Sequence, residues 1–218
     1  MKTSTKVVDA VEMIPDGSVL HIGGFMGVGS PRRLIDELVR QGKRDMTIVC
    51  NDTARPGHMI GKLIDNGVVS KVITSHIGTN PVTQQKMIAG EIEVILMPQG
   101  TLAECVRAAG YGLGGVLTAT GVGTIAAEGK QTIDIDGKTF IVERPIPADF
   151  ALVAPAHADY NGNLNFTLTA NNFNPIMCMA AKVCIAEADQ IVPVGVLAPD
   201  DIEIPGMIVD YLIERAAA

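Results

Sequence analysis

Short apolar runs alternate with stretches of helical periodicity through the first half of this chain, and that alternation leaves few folds open. Residues 18–22, 46–50, 71–75 and 94–97 read as strands. Residues 7–14, 32–41, 58–66, 82–89 and 102–109 carry apolar positions at helical spacing. Strands separated by helices imply parallel βαβ units, because a parallel neighbour needs a crossover long enough to hold a helix. The strand ends share a habit: Gly23-Gly24, Asn51-Asp52, His76-Ile77-Gly78-Thr79-Asn80 and Gln99-Gly100-Thr101 all follow apolar strands. Open α/β sheets bind ligands at the carboxyl ends of their strands, so these polar loops are expected to converge on one edge.

The first of these loops is the most distinctive. Asp16-Gly17-Ser18-Val19-Leu20-His21-Ile22 runs into Gly23, Gly24, Phe25, Met26, Gly27, Val28, Gly29 and Ser30, and then Pro31. Ser30 suits a helix N-cap and Pro31 the first helical turn. Leu34, Ile35, Leu38 and Val39 then fall on one helical face. Small residues between a strand and a helix N-terminus leave backbone N–H groups open to an anion, or to a carbonyl oxygen gaining charge. A Cβ at Gly24 or Gly27 would block such an approach, so a bulky residue at Gly24 is expected to depress activity without unfolding the protein.

After Gly110 the character changes. Residues 110–115 and 121–123 are glycine-rich and loop-like, and 132–142 read as a β-hairpin around the favoured turn Asp136-Gly137. Residues 151–153 and 183–185 are expected to be late strands of the same sheet. The sequence shows no repeat of 20–50 residues and no low-complexity linker, which implies one domain over 1–218. Residues 215–218 are expected to fray. The expected fold is therefore α/β: an open, mostly parallel sheet flanked by helices, with a β-hairpin excursion.

Composition removes several function classes. A net charge of −7 and no basic cluster argue against nucleic acid as the partner. No apolar run reaches membrane-spanning length, and the first six residues lack a signal-peptide core. Cys50, Cys105, Cys178 and Cys184 are widely spaced and read as reduced, buried thiols, so a cytoplasmic location is expected. The four histidines show no metal-ligand spacing, and no metal is expected. His58 and His157 read as loop residues.

Landmarks in register along nearly the whole chain carry a resemblance. The run from Asp16-Gly17 through Gly23-Gly24-Phe25 to Gly29-x-Pro31 is followed by Asn51-Asp52-Thr53 and by His76-Ile77-Gly78-Thr79-Asn80-Pro81. Pro98-Gln99-Gly100-Thr101-Leu102-Ala103-Glu104, Leu113-Gly114-Gly115 and Thr120-Gly121-Val122-Gly123-Thr124 come next. Asp159-x-x-Gly162-Asn163 and Ala170-Asn171-Asn172-Phe173-Asn174-Pro175 complete the set. This pattern resembles the alpha subunits of family I CoA-transferases, the group that includes the acetate/acetoacetate and butyrate–acetoacetate enzymes. One departure is His21, where the family strand is apolar. It is expected to be half-buried and bonded to a backbone group, facing opposite to Leu20 and Ile22.

The resemblance implies transfer of CoA from an acyl-CoA to a free carboxylate, with CoA thioesters as substrates and no permanently bound cofactor. The route it implies is ping-pong: an enzyme glutamate attacks the thioester, an acyl–glutamyl anhydride forms, and CoA thiolate returns to give a glutamyl-CoA thioester. Each addition passes through an oxyanion that needs N–H donors. The family places that glutamate in a Ser-Glu-Asn-Gly motif of its beta subunit. None of the ten glutamates here lies in that context; Glu128-Gly129 comes nearest, and Glu91 and Glu93 read as the exposed side of a strand. The chain is therefore expected to be half of an enzyme, paired with a beta subunit as αβ or α2β2.

By the same resemblance, residues 23–30 line the site and Gln99 supports the glutamate with its amide. Asn51, Gly78 and Asn80 are expected to shape the carboxylate pocket, with Asx-turn roles as the competing assignment, and Gly100 to lie beside them. Phe25 and Met26 could limit acyl size or simply pack. An acyl-CoA hydrolase on the same fold is one alternative. A non-catalytic ligand-binding or isomerase-like module is another, although loop 23–30 lacks the basic residue a phosphate would want.

Overall fold

A computed structural model describes residue 2 and residues 4–213, so the fraying expected at 215–218 lies outside the described residues. In chain order the first half runs β1 (Ser4–Thr5), α1 (Val7–Glu12), β2 (Val19–Ile22), α2 (Arg32–Arg40), β3 (Met46–Asp52), α3 (Ile60–Asp65), β4 (Val69–His76), α4 (Pro81–Ile88), β5 (Glu93–Leu96) and α5 (Gln99–Gly110). The second half runs β6 (Val116–Thr118), β7 (Thr132–Ile135), β8 (Lys138–Glu143), β9 (Ala148–Val153), β10 (His157–Asp159), β11 (Leu164–Asn165), α6 (Asn174–Met179), β12 (Ala181–Ala186), β13 (Gln190–Val192) and β14 (Tyr211–Ile213).

Eight strands form one sheet in the order β1-β14-β12-β9-β2-β3-β4-β5. Every pairing in it is parallel, which goes beyond the mostly parallel sheet expected. Alternate residues of each strand serve opposite faces. Leu20, Ile22, Ile48 and Cys50 join Leu34, Ile35, Leu38, Leu63 and Ile64 in one apolar layer. Val49, Ala151 and Val153 join Leu102, Val106, Phe173 and Met177 in the other. Helices α1, α2 and α3 thus cover one face, and α5 and α6 the other. All four cysteines are free and buried, Cys50 in the first layer and Cys105, Cys178 and Cys184 in the second.

The strand order contains a reversal. From β2 the chain builds outward through β3, β4 and β5, then returns to lay β9 on the opposite side of β2. Loops after β2 and β9 therefore diverge, and such a switch point is where an open α/β sheet leaves a crevice.

Two three-stranded sheets stand apart from the main one, β6-β8-β7 and β11-β10-β13. The first contains the expected hairpin: β7 and β8 pair antiparallel around Asp136 and Gly137, both at positive φ, as a two-residue type I′ turn requires. β6 lies between the two stretches read as loop, 110–115 and 121–123, and His157 opens β10 rather than sitting in a loop. Both elements are too short to carry a periodic signal.

Candidate functional site

The loop after β2 is built to hold itself. Phe25 and Val28 exchange both backbone hydrogen bonds at 2.9 Å around Met26 and Gly27. Gly24 sits at φ +122, and a Cβ there would lie 2.1 Å from Ser30 Oγ. Ser30 does not cap the following helix. Its hydroxyl donates to the Gly23 carbonyl at 2.9 Å, closing the loop from inside. Pro31 occupies the N-cap position with no side-chain cap. The orphan amides of α2 are met from far along the chain instead, Arg33 and Leu34 donating to the two Glu187 oxygens at 2.9 Å each. Burial pushes the Glu187 pKa up, and those two amides work against the shift.

The switch-point crevice is filled by the protein itself. Asn174 is fully buried there. Its Oδ1 accepts from Ala154 N at 3.0 Å after β9, and its Nδ2 donates to Gly29 O at 3.0 Å and Ala170 O at 2.9 Å. A Cβ on Gly23 would fall 1.9 Å from Asn174 Oδ1. The glycines of loop 23–30 are thus required first by packing inside the protein. This corrects the expectation that Gly24 could be enlarged at no cost to folding.

A second loop of the same shape follows β3. Arg55 and His58 bridge across Pro56 and Gly57 as Phe25 and Val28 do across Met26 and Gly27. Positive φ recurs at 24 and 54, at 27 and 57, and at 29 and 59. The loops touch: a Cβ at Gly27 would lie 2.6 Å from His58 Nε2. Sequence reading misses this backbone repeat because the two stretches share only one glycine, Gly27 matching Gly57.

Between these loops and α5 runs a chain of polar side chains. Asp52 ends β3 and is buried. Its Oδ1 accepts from Ala54 N at 2.8 Å, and its Oδ2 accepts from Met26 N at 2.8 Å and Asn51 Nδ2 at 2.7 Å. Asn51 Oδ1 in turn accepts a close hydrogen bond from Gln99 Nε2 and one at 3.3 Å from Asn172 Nδ2. Gln99 opens α5 and is exposed, so the chain begins in the protein and ends at its surface. Three expected residues or segments, loop 23–30, Asn51 and Gln99, therefore meet. Asp52 and Asn172, which join them, stand in the sequence only as landmarks of the resemblance, with no role attached.

The other candidates fall elsewhere. Asn80 is fully buried; it caps α4 by accepting from Thr83 N at 3.2 Å and donates to Thr53 O at 2.9 Å. That Asx-type role is the competing assignment weighed for it. Gly78 is exposed, and a Cβ on it would meet the His76 ring at 2.8 Å. Its neighbour Thr79 ties this loop to the others, donating to Ala54 O at 2.9 Å. Gly100 is exposed beside a cavity of about 510 Å3 shared with Thr101, Glu104, Val116, Leu117, Thr118 and Thr120. Phe25 and Met26 are half-buried.

His21 is fully buried rather than half-buried. It lies between Val49 and Ala151 in the sheet register, on the face opposite to Leu20 and Ile22. Neither ring nitrogen makes a well-formed hydrogen bond. Burial pushes its pKa down to about 4, and an interaction with the Ile146 backbone offsets only part of that. Among the described residues, no group of His, Cys, Asp and Glu is arranged to hold a metal, and no helix is long and apolar enough to cross a membrane.

A parallel α/β sheet with its polar edge at the carboxyl ends of β2, β3 and β5 defines the class of chain. Residues 4–215 match the family model for coenzyme A transferase. The chain is 50% identical over 214 residues to the acetate CoA-transferase subunit alpha of Escherichia coli, spanning 98% of this chain and 97% of that one. It is 46% identical over 202 residues to the acetoacetyl-CoA:acetate/butyrate CoA transferase alpha subunit of Clostridium acetobutylicum, spanning 93% of each. The crystal structure of an acyl-CoA transferase from Escherichia coli O157:H7 superposes with a TM-score of 0.84 at 21% identity. That match covers 97% of this chain but only 46% of the longer one, so this chain spans about half its length and the likeness speaks for the fold. The chain belongs to the coenzyme A transferase family, on the side of the chains named alpha subunits.

Proposed function

We propose that this chain is the alpha subunit of a heteromeric short-chain acyl-CoA:carboxylate CoA-transferase of the acetate, acetoacetate and butyrate class. CoA thioesters are its substrates, and residues 1–218 work as one domain beside a beta subunit in an αβ or α2β2 assembly. The glutamate that forms the glutamyl-CoA thioester is contributed by the beta subunit. Loop 23–30, Asn51 and Gln99 form this chain's wall of the site, with Gly78 and Gly100 at its margins and Asn80 supporting the wall from behind.

The observation that carries the reading is the buried polar chain from Asp52 through Asn51 to Gln99. It delivers neutral amide donors to an exposed edge, yet among the described residues no glutamate takes part in it. Glu104, near Gly100, is exposed and paired with Arg107 at 3.2 Å. Glu187 is occupied with the start of α2. Donors without a nucleophile are what half of an interfacial thioester site looks like. An N–H aimed at the developing oxyanion contributes about 2.7–4 kcal/mol in a transition state of this kind.

The test is to purify this chain alone and together with its candidate partner, and to follow acyl-CoA with acetate, acetoacetate or butyrate as acceptor. Transfer is expected only from the pair. Transfer by this chain alone would remove the half-enzyme reading. A pair that releases free CoA and acid, with water in place of the second acid, would be a hydrolase.

A further inference from the structure

We propose that Asp52 is a positioning residue, one that decides which end of the Gln99 carboxamide faces the reacting carbonyl. The inference rests on the transferase reading above. A primary amide is nearly symmetric in shape, so packing alone does not choose between its NH2 and its oxygen; hydrogen-bond partners do. Asp52 is only 3% exposed, and both of its oxygens act as acceptors, toward Ala54 N, Met26 N and Asn51 Nδ2. Facing an acceptor that donates nothing, Asn51 must present its NH2, which turns Oδ1 the other way. That oxygen can only accept, so Gln99 must present Nε2 to it, and the Asn172 amide converges on the same atom at 3.3 Å. Two donors use both lone pairs of Asn51 Oδ1. Polarity is therefore set at a buried carboxylate and passed through one amide to a second that stands at the surface.

The consequence is chemical. Held this way, Gln99 keeps an NH2 group at the site, with one N–H on Asn51 and the other open to an oxygen that gains charge. Flipped, it would turn Oε1 toward that oxygen, and repulsion would replace donation. Asparagine at position 52 cannot hold the same order. An NH2 in place of Oδ2 would face the Met26 and Asn51 donors, and in place of Oδ1 it would face the Ala54 amide.

The experiment is a double-mutant cycle on the reconstituted pair, with kcat, acyl-CoA KM and thermal melts recorded for wild type, Asp52→Asn, Gln99→Ala and the double variant. Gln99→Ala is expected to lower kcat by about 10²–10³-fold, as loss of an oxyanion donor does. Asp52→Asn is expected to lower kcat by about 10–100-fold with KM within roughly threefold, and the double variant to be no slower than Gln99→Ala alone. A relay has nothing to orient once its last member is gone. Losses that multiply would overturn the proposal and leave Asp52 as a support of loop 23–30 only. If Asp52→Asn fails to fold, Asn51→Ala takes its place in the cycle, since it cuts the relay while leaving the Met26 and Ala54 bonds to Asp52 intact. Multiplying losses there overturn the proposal equally. A wild-type pair without transfer activity would reject the transferase reading itself.

Discussion

Replacing His21 with leucine should make this protein more stable, and should do so by an amount that grows as the pH falls. The imidazole is buried between Val49 and Ala151 with neither nitrogen in a well-formed hydrogen bond. An unsatisfied polar group in such a place costs about 1–3 kcal/mol, whereas a volume-conserving apolar replacement costs less than about 1.5. The pH term has a definite sign. Burial lowers the folded-state pKa to about 4, while the unfolded chain has the ordinary value near 6.5. As pH falls through that window the unfolded state takes up the proton and the folded state does not, so stability is full above about 6.5 and is lost toward 4. Integrating between pH 7 and pH 5 gives a loss of about 2 kcal/mol from this one residue. Urea unfolding at the two pH values measures it: wild type should lose about 2 kcal/mol more than His21→Leu, or roughly 4–8 °C in melting temperature. Carboxylates common to both proteins cancel in that difference. Equal pH dependence in the two proteins, with no gain for the variant at pH 7, would refute the reasoning and place a proton or a partner on the folded-state imidazole.

Two further substitutions test the frame around the site. Glu187→Ala strips the acceptors from Arg33 N and Leu34 N at the start of α2, and should cost about 0.5–2 kcal/mol in urea unfolding, as the loss of a cap does. Gly24→Ala puts a Cβ 2.1 Å from Ser30 Oγ at φ +122; it should lose at least about 2 kcal/mol and fall in activity together with its melting temperature. Gly24→Ala combined with Ser30→Ala should recover only part of that loss, because the backbone strain at position 24 remains.

The sheet was legible because its signals are long. Runs such as Met46–Asp52 and Val69–His76 carry enough β-branched and apolar residues to exceed local ambiguity, and the helices between them force parallel pairing. The strands at Ser4–Thr5, Leu164–Asn165 and Gln190–Val192 have two or three residues each, too few for any period to show. Ser30 misled for a different reason. Its identity and spacing are those of a cap, but the carbonyl it reaches belongs to Gly23, seven residues earlier, and the cap comes from Glu187. Local preference cannot see a partner brought in by the fold. Asp52 was invisible in the same way: next to Asn51 it reads as one more turn former, and its role appears only when Met26 and Gln99 fold around it.

The filled crevice bears on where the chemistry can happen. A doubly wound sheet ordinarily offers its switch point to a ligand, but here Asn174 occupies the space between β2 and β9 with hydrogen bonds to both sides. With that route closed, loop 23–30 acts as a strut that presents the Met26 amide to Asp52. The donors that remain lie one strand further along, where β3 ends in Asn51-Asp52 and α5 begins with Gln99. That edge is exposed at Gln99 and Gly100, and a thioester carbonyl placed there would meet protein on one side and solvent on the other. Water on the open side would hydrolyse an acyl or glutamyl-CoA intermediate, so a transferase built this way has to close the site with another surface before it reacts. On the function proposed above, the surface that excludes water would also carry the nucleophile, because a glutamate arriving with it could not form the thioester until the site is sealed.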